Sequence, residues 1–353
     1  WPLFLAQPLG APDGTVIVFM DGLPLYGLLI RALRGLVFDL ESNLLSLWLG
    51  FCYALQGLAP VAALWLAGVR RPLLLLAGSL LATALPAFLL RFEHAPLCAQ
   101  GFIILALGLY FRAANLRRCR QMLPWAVALC WLLTWVNGYL LVMVAAVTGA
   151  LLLQGLASRQ IGWARAGGAL LSLLAGCALL MWSGGYFADY RPAGGFGSYS
   201  MNLFSPLVPQ ESWFFPDWPR IDATGGQREG FNCLGAGLLL LLALLPLLGW
   251  GGWRARLARH WPLPLALLGL TLLALSNRIF AGGDLLLDLG EAPDLLGQLR
   301  SSGRLFWVVA YALLLGGLLL LDRRRGWAAP ALLLAVLALQ LADTQGYRAQ
   351  VRA

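Results

Sequence analysis

Long apolar runs recur along the whole chain, and they restrict its fold more than any other feature. A helix needs about 20 apolar residues to cross the hydrocarbon of a bilayer. We interpret as membrane-spanning helices the runs near 44–69, 72–90, 97–112, 123–136, 137–156, 166–183, 232–250, 261–277, 304–321 and 327–342. They predict an all-α integral membrane protein, a polytopic helical bundle of about ten spans with long extracytoplasmic loops.

The composition excludes several other classes of protein. Of the 353 residues, 60% are hydrophobic and 12% are charged, whereas soluble domains are about 25% charged. A soluble enzyme, a disordered chain and a secreted disulfide scaffold are therefore excluded. The net charge of +9 is spread between apolar runs, so we expect no nucleic-acid partner. The six cysteines form no CxxC pair, and we expect no metal site.

All 25 basic residues are arginines, and their distribution predicts the topology. Alternate loops hold fourteen of them against one acid, Asp322. These loops lie near 70–71, 112–120, 159–165, 254–259 and 322–325. Because cytoplasmic loops are enriched in arginine, we expect them in the cytoplasm and the longer loops outside. The prediction requires Asn137-Gly138 to be a turn between two spans, since otherwise every later loop changes sides.

This alternation divides the chain into four predicted parts. They are a partial first extracytoplasmic loop with an amphipathic segment at 1–43, a first transmembrane bundle at 44–183, a large extracytoplasmic loop at 184–231, and a second transmembrane bundle at 232–353 with an extracytoplasmic loop at 278–303. Trp1 is not an initiator methionine, and residues 1–22 lack the pattern of a signal peptide. We therefore expect an internal fragment that lacks the first helix.

Two outer segments carry candidate catalytic groups. Asp21 precedes an amphipathic segment, where it is either a helix cap or a general base or ligand for an acceptor. Asp13, in the same loop, is a candidate substrate-binding residue. Arg91, Glu93 and His94 share a short turn between two spans. This is either an interfacial turn or a site where Glu93 and His94 orient an acceptor hydroxyl and Arg91 binds phosphate.

The two largest outer loops carry candidate substrate-binding residues. In 184–231, many aromatic residues accompany polar ones, which suits sugar recognition and equally suits an interfacial aromatic belt. The candidates there are Tyr199, Asn202, Gln227, Arg228 and Glu229. Arg300 and Arg304 flank the start of an apolar run. Either these arginines and the free amides of the helix start bind phosphate, or the helix is simply capped and the arginine side chains extend to the membrane surface.

Three segments together resemble an uncharacterised family of bacterial inner-membrane proteins related to GT-C glycosyltransferases. They are Asp-Gly-Leu-Pro-Leu at 21–25, Tyr-Ser-Met-Asn-Leu at 199–203 with Thr-Gly-Gly-Gln-Arg-Glu-Gly-Phe-Asn at 224–232, and Arg-Ser-Ser-Gly-Arg-Leu-Phe-Trp at 300–307. The resemblance extends over most of the chain. It implies a multi-span fold in a bacterial inner membrane, with an active site that faces the periplasm.

The resemblance also implies a reaction. A polyprenyl-phosphate sugar would serve as donor and co-substrate without a further cofactor, and the acceptor would be an envelope glycan, lipid or protein. An acidic residue of the first outer loop would act as base, and basic outer residues would hold the lipid phosphate. Asp21 lies later in its loop than the family's acid, so its roles as base and as ligand both stay open. Asn137-Gly138-Tyr139 stands where the family has a histidine.

Two other functions compete with glycosyl transfer. The chain would otherwise be a polysaccharide or lipid-carrier transporter or flippase, or a non-catalytic assembly subunit. Transporters are commonly built from internal repeats around polar sites within the membrane. No evident repeat occurs in this sequence, and charged residues are rare inside the predicted spans. The enzyme is therefore favoured over the transporter.

Overall fold

The computed structural model describes residues 2–7, 13–33, 43–187, 195–246, 253–324 and 326–352. Its α-helices are α1 Pro24–Leu33, α2 Leu44–Leu66, α3 Pro72–Thr83, α4 Pro86–Leu89, α5 Gly101–Asn115, α6 Cys119–Thr134, α7 Gly138–Ala157, α8 Trp163–Gly184, α9 Ala236–Leu244, α10 Trp253–Arg259, α11 Pro262–Leu275, α12 Trp307–Asp322, α13 Ala328–Asp343 and α14 Gln345–Arg352. Within these described residues, four 3-10 helices lie at Ile17–Phe19, Ala95–Cys98, Asp294–Leu299 and Ser302–Phe306.

The few strands form two small antiparallel pairs. β1 Leu5–Ala6 pairs with β2 Thr15–Val16, and β3 Arg278–Ala281 pairs with β4 Asp284–Asp288. Arg278 and Asp288 face each other in the second pair and form an ion pair at 3.4 Å. The strands are minor additions to an all-α protein, as the sequence predicts.

Five helical segments within the described ranges are long and apolar enough to cross a membrane. They are Leu44–Leu66, Ala95–Asn115, Gly138–Ala157, Trp163–Gly184 and Ser302–Asp322. α13 and α14 pass the same test only together, and they are bent by 54°. The chain is thus an all-α membrane protein, but ten spans are not confirmed.

Several of the predicted spans do not pass this test, for different reasons. The predicted span 72–90 is split, because α3 ends at Thr83 and Pro86 begins α4; proline has no amide hydrogen to continue a helix. α11, in the predicted span 261–277, is one of the shorter apolar helices. Part of the predicted span 232–250, part of the first loop, residues 188–194 of the largest loop and Arg325 lie outside the described residues.

The loops gather at two ends of the helical bundle. At one end, which we call the basic end, Arg71 Nη1 donates to the Arg324 carbonyl (2.7 Å) and Arg117 Nη2 donates to the Ser158 carbonyl (3.4 Å). These are the loops that the arginine distribution assigns to one side. At the other end, the loop end, the Leu25 amide donates to the Trp135 carbonyl at 3.0 Å. The two predicted sets of loops are therefore separate in the fold.

The predicted turn at Asn137 is confirmed. α6 ends at Thr134, and Asn137 caps the beginning of α7. The Asn137 side-chain oxygen accepts from the Tyr139 amide (2.9 Å) and the Leu140 amide (3.4 Å), as asparagine does at helix N-termini. α6 and α7 pack against each other as separate helices.

Close helix packing and buried polar side chains hold the core together. α2 packs against α5 where Gly108 faces Ala63, and a Cβ on Gly108 would lie 2.6 Å from the Ala63 Cα. Nearby, the Tyr311 hydroxyl donates to Gln100 Oε1 (2.6 Å) and accepts from Gln56 Nε2 (2.7 Å). Small residues and shared hydrogen bonds are the usual means of joining helices where lipid removes the hydrophobic drive.

We expect Gly108→Ala to lower the thermal unfolding temperature in detergent, because its new Cβ would force α2 and α5 apart. Overpacking of this kind costs about 1–3 kcal/mol. Gly149→Ala is the matched control, since α7 leaves open space at Gly149. An unfolding temperature of Gly108→Ala equal to that of the control would contradict this packing.

Candidate functional site

Five charged residues from four separate stretches of the chain meet at the loop end. We call Asp21, Arg91, His94, Glu229 and Arg304 the charged cluster. Asp21 lies between the 3-10 helix at 17–19 and α1, and Arg91 and His94 lie in the turn after α4. Glu229 belongs to the largest loop, and Arg304 to the 3-10 turn that leads into α12. All five are among the candidates that the sequence provides.

Glu229 is the shared partner of the three cations. Its Oε2 accepts from Arg91 Nη1 (3.0 Å) and from Arg304 Nε (3.2 Å) and Nη2. Its Oε1 lies 3.5 Å from His94 Nε2. The Arg91 side chain is only 3% exposed, and a buried cation is costly unless an opposite charge neutralises it. Glu229 therefore stabilises the position of Arg91 and also orients Arg304.

Two glycines bring Glu229 and Arg304 together. A Cβ on Gly303 would lie 2.4 Å from the Gly230 Cα, so the two backbones touch. Asn232 Nδ2 donates to the Gly230 carbonyl (2.8 Å) and the Gly303 carbonyl (2.9 Å). All three lie in motifs that carry the family resemblance, but the sequence analysis assigned them no role. The available signal was that each glycine directly adjoins a charged candidate.

Aromatic rings support both arginines from the helical side. Arg304 Cζ lies 5.1 Å from the Tyr139 ring centroid, and Arg91 Cζ lies 5.6 Å from that of Trp307. Both distances suit cation–π contacts. The Tyr139 hydroxyl also accepts from the Ser301 amide at 2.8 Å. The turn at Asn137 therefore helps to build the site as well as the topology.

His94 lies between two carboxylates. Its Nδ1 is 2.6 Å from Asp21 Oδ2, and its Nε2 faces Glu229 Oε1. The hydrogen bonds to Asp21 and to Glu229 raise the pKa of His94 to about 9, so both ring nitrogens carry protons at neutral pH. His94 is then a hydrogen-bond donor and a cation.

The two carboxylates of the charged cluster stay ionised. The hydrogen bond from His94 holds the pKa of Asp21 below its ordinary value. Burial raises the pKa of Glu229, but the hydrogen bond from His94 and the charges of Arg304 and Arg91 outweigh burial and hold this pKa well below its usual range. Three cations and two carboxylates leave one excess positive charge.

The charged cluster extends from the protein interior to the solvent. Arg91 is at its buried end, whereas the Asp21 side chain is 56% exposed. Asp21 is therefore the accessible carboxylate, and Glu229 has both oxygens occupied by cations. This arrangement can accept a hydrogen bond from a hydroxyl group and attract an anion to the same place.

Other predicted site residues lie outside the charged cluster. Glu93 and Arg228 form an exposed pair at 3.7 Å, and Asp13 is exposed beside β2. Arg300 Cζ lies 5.6 Å from the ring centroid of Tyr199. Their catalytic or substrate-binding roles stay predictions.

The side chains of Asn202 and Gln227 form hydrogen bonds that connect two loops at the loop end. Asn202 Nδ2 donates to Gln227 Oε1 (3.1 Å) and to the Gly282 carbonyl (2.8 Å). Gln227 Oε1 also accepts from the Ala223 amide at 3.0 Å. Both side chains are buried, so their visible contacts stabilise the largest loop against the β3–β4 hairpin. Substrate binding by either residue stays a prediction.

A family model described as a domain of unknown function (DUF6311) matches residues 1–345. No curated protein and no solved structure matches the chain. In the part of the chain that the structure describes, no group of three or more His, Cys, Asp or Glu side chains is arranged to hold a metal ion.

The protonated state of His94 predicts a pH-dependent stability. Its pKa is about 9 in the fold against an ordinary 6.5. The stabilisation is therefore fully present below about pH 6.5 and is lost as the pH rises through about 9. We expect the unfolding temperature of the wild type to fall across this interval, and that of His94→Gln to fall less. Parallel profiles of the two proteins would contradict the prediction.

The role of Glu229 predicts a large loss of stability in Glu229→Gln. The substitution leaves the buried guanidinium of Arg91 without a counter-charge, which costs about 3 kcal/mol. Glu93→Gln is the matched control, because its exposed pair with Arg228 contributes about 0–1 kcal/mol. Chemical unfolding in detergent measures both, and equal losses would refute the central role of Glu229.

Proposed function

The chain belongs to the family of the domain of unknown function DUF6311, and we propose that it is a membrane glycosyltransferase. It transfers a sugar from a polyprenyl-phosphate donor to an envelope glycan, lipid or protein acceptor. The observation that carries the proposal is the exposed Asp21 carboxylate at the solvent side of a cluster with net positive charge.

Sugar transfer from a lipid phosphate needs two groups close together. A base must receive the proton of the acceptor hydroxyl, and positive charge must stabilise the departing phosphate. Asp21 is the accessible base. His94 and Arg304 supply positive charge, with Arg91 behind them. Glu229 is a positioning residue, because it holds these three cations in place.

The proposed reaction forms one bond at the anomeric carbon and breaks another. The acceptor oxygen forms a bond to the anomeric carbon as the bond between this carbon and the phosphate oxygen breaks. Polyprenyl phosphate leaves with the bonding electron pair, and the hydroxyl proton passes to Asp21. The lowered pKa of Asp21 keeps its carboxylate ionised and ready to accept a hydrogen bond. Proton transfer is completed as the new bond makes the hydroxyl acidic.

The proposal includes an orientation in the membrane. The basic end faces the cytoplasm of a bacterial inner membrane by the positive-inside rule, and the charged cluster faces the periplasm. About ten helical crossings complete this GT-C-like topology when the five long segments are joined by α6, α9, α11, α13 and the split span α3–α4. Membrane lipids surround the bundle, and the lipid-linked donor enters from them.

We expect Asp21→Asn to lower sugar transfer by about 100-fold or more, the usual contribution of a general base. The assay uses the protein in liposomes with a panel of undecaprenyl-phosphate hexoses and pentoses, and it measures both transferred sugar and released undecaprenyl phosphate. Asp284→Asn, which alters an exposed acid of the β3–β4 hairpin outside the charged cluster, is the control and should retain wild-type turnover.

Two results would overturn the proposal. Unchanged turnover in Asp21→Asn would remove Asp21 from the mechanism. Saturable movement of the lipid-linked sugar across the membrane without sugar transfer would make the protein a transporter. Unfolding temperatures of both variants establish that any lost activity is not lost folding.

A further inference from the structure

A second site lies at the basic end, far from the charged cluster. A cavity of about 740 Å³ is lined by residues of α5, α11 and α12 together with α10 and its flanking residues. Its volume is within the range of about 300–1,000 Å³ that is usual for small-molecule sites. Most of its wall is apolar and includes Phe111, Leu263, Leu267, Leu313, Leu319 and Leu320.

Positive charge lines one part of the same cavity. Arg256, Arg323 and Arg324 contribute to this part of the wall, beside His260. Burial and the like charges of Arg256 and Arg259 lower the pKa of Arg323, and the charge of Asp322 opposes this effect only in part.

Arginines outnumber acids in the basic loops. Asp322, the one acid of the basic loops in the sequence, lies 3.6 Å from Arg71. Phosphate groups commonly bind arginines in this kind of environment.

His260 adds a polar group that the described residues leave unsatisfied. Its Nδ1 is buried and has no hydrogen-bond partner among them. The backbone at this position is held, because the Tyr110 hydroxyl donates to the His260 carbonyl at 3.2 Å. The pKa of His260 is lowered by burial and by the charges of Arg259 and Arg323, so its ring is a neutral donor or acceptor beside a positively charged wall.

We propose that this cavity binds an anionic phospholipid, with the headgroup phosphate at Arg256 and Arg323 and an acyl chain along α12. Free phosphate would leave the apolar wall uncovered, and an uncharged lipid would not be attracted by the positively charged part of the wall. An anionic lipid satisfies both, as in other basic pockets between membrane helices. The occupant comes from the membrane leaflet at the basic end.

This lipid site is separate from the proposed transferase site. Arg304 lies near the beginning of the segment Ser302–Asp322, and Arg323 directly follows its end. A helix of this length spans about 30 Å. The lipid site can therefore be tested independently of glycosyl transfer.

Gly316 offers a test that leaves every charge in place. It lines the cavity, and a Cβ added there would meet nothing within 4 Å. Gly316→Leu should therefore fill the space of the acyl chain without disturbing α12, since leucine is a better helix former than glycine. Gly269→Leu is the matched control, because Gly269 of α11 also faces open space but is not part of the cavity wall.

The experiment titrates the full chain, in neutral detergent, with phosphatidylglycerol, phosphatidylcholine or inorganic phosphate, and counts bound molecules by native mass spectrometry. We expect one phosphatidylglycerol per chain, bound at least about tenfold more tightly than phosphatidylcholine. Gly316→Leu should weaken this binding by about tenfold or more, and Gly269→Leu should leave it unchanged. Arg323→Gln should remove the preference for phosphatidylglycerol while the cavity stays open.

Several outcomes would overturn the proposal. They are equal binding of the two phospholipids to the wild type, unchanged phosphatidylglycerol binding in Gly316→Leu, and binding of inorganic phosphate alone. Tighter binding of undecaprenyl phosphate than of phosphatidylglycerol would replace the proposed occupant with a lipid carrier. Arg323→Gln leaves the cavity open. It therefore tests the need for positive charge even if Gly316→Leu fails to fold.

Discussion

The carboxylate of Glu229 holds two guanidinium groups at the end of an apolar helical bundle, and the loop end depends on this interaction. Arg91 is nearly inaccessible to solvent, so its charge is tolerable only beside a counter-charge. Glu229 meets this need and at the same time fixes Arg304 and faces His94. The turn after α4, the largest loop and the beginning of α12 are thereby joined.

The segments Ala95–Asn115 and Ser302–Asp322 connect the two ends of the molecule. Both begin beside the charged cluster and end at the basic end. At the loop end, acids and bases compensate each other and leave Asp21 accessible. At the basic end, arginines outnumber acids beside an apolar cavity. One pair of helices thus separates the proposed transferase site from the proposed lipid site.

Sequence analysis identified the members of the charged cluster but not their arrangement. Asp21, Arg91, His94, Glu229 and Arg304 were each candidates because charge is rare in this chain and costly near a membrane. Their partners were not predicted, since the ion pairs join residues 73, 75 and 138 positions apart. The role of Gly230 and Gly303, whose backbones touch next to Glu229 and Arg304, was also missed. A glycine in a loop has many local explanations.

The sequence by itself determined that the chain is an all-α membrane protein with loops separated into two sets. Apolar content and arginine placement are local properties, and the bilayer acts on each segment according to them. The number of crossings was less secure, because prolines divide apolar runs without changing their hydrophobicity. Only the tertiary structure decided which carboxylate is shared by three cations and which is exposed, because pairing and burial depend on contacts between segments distant in the chain.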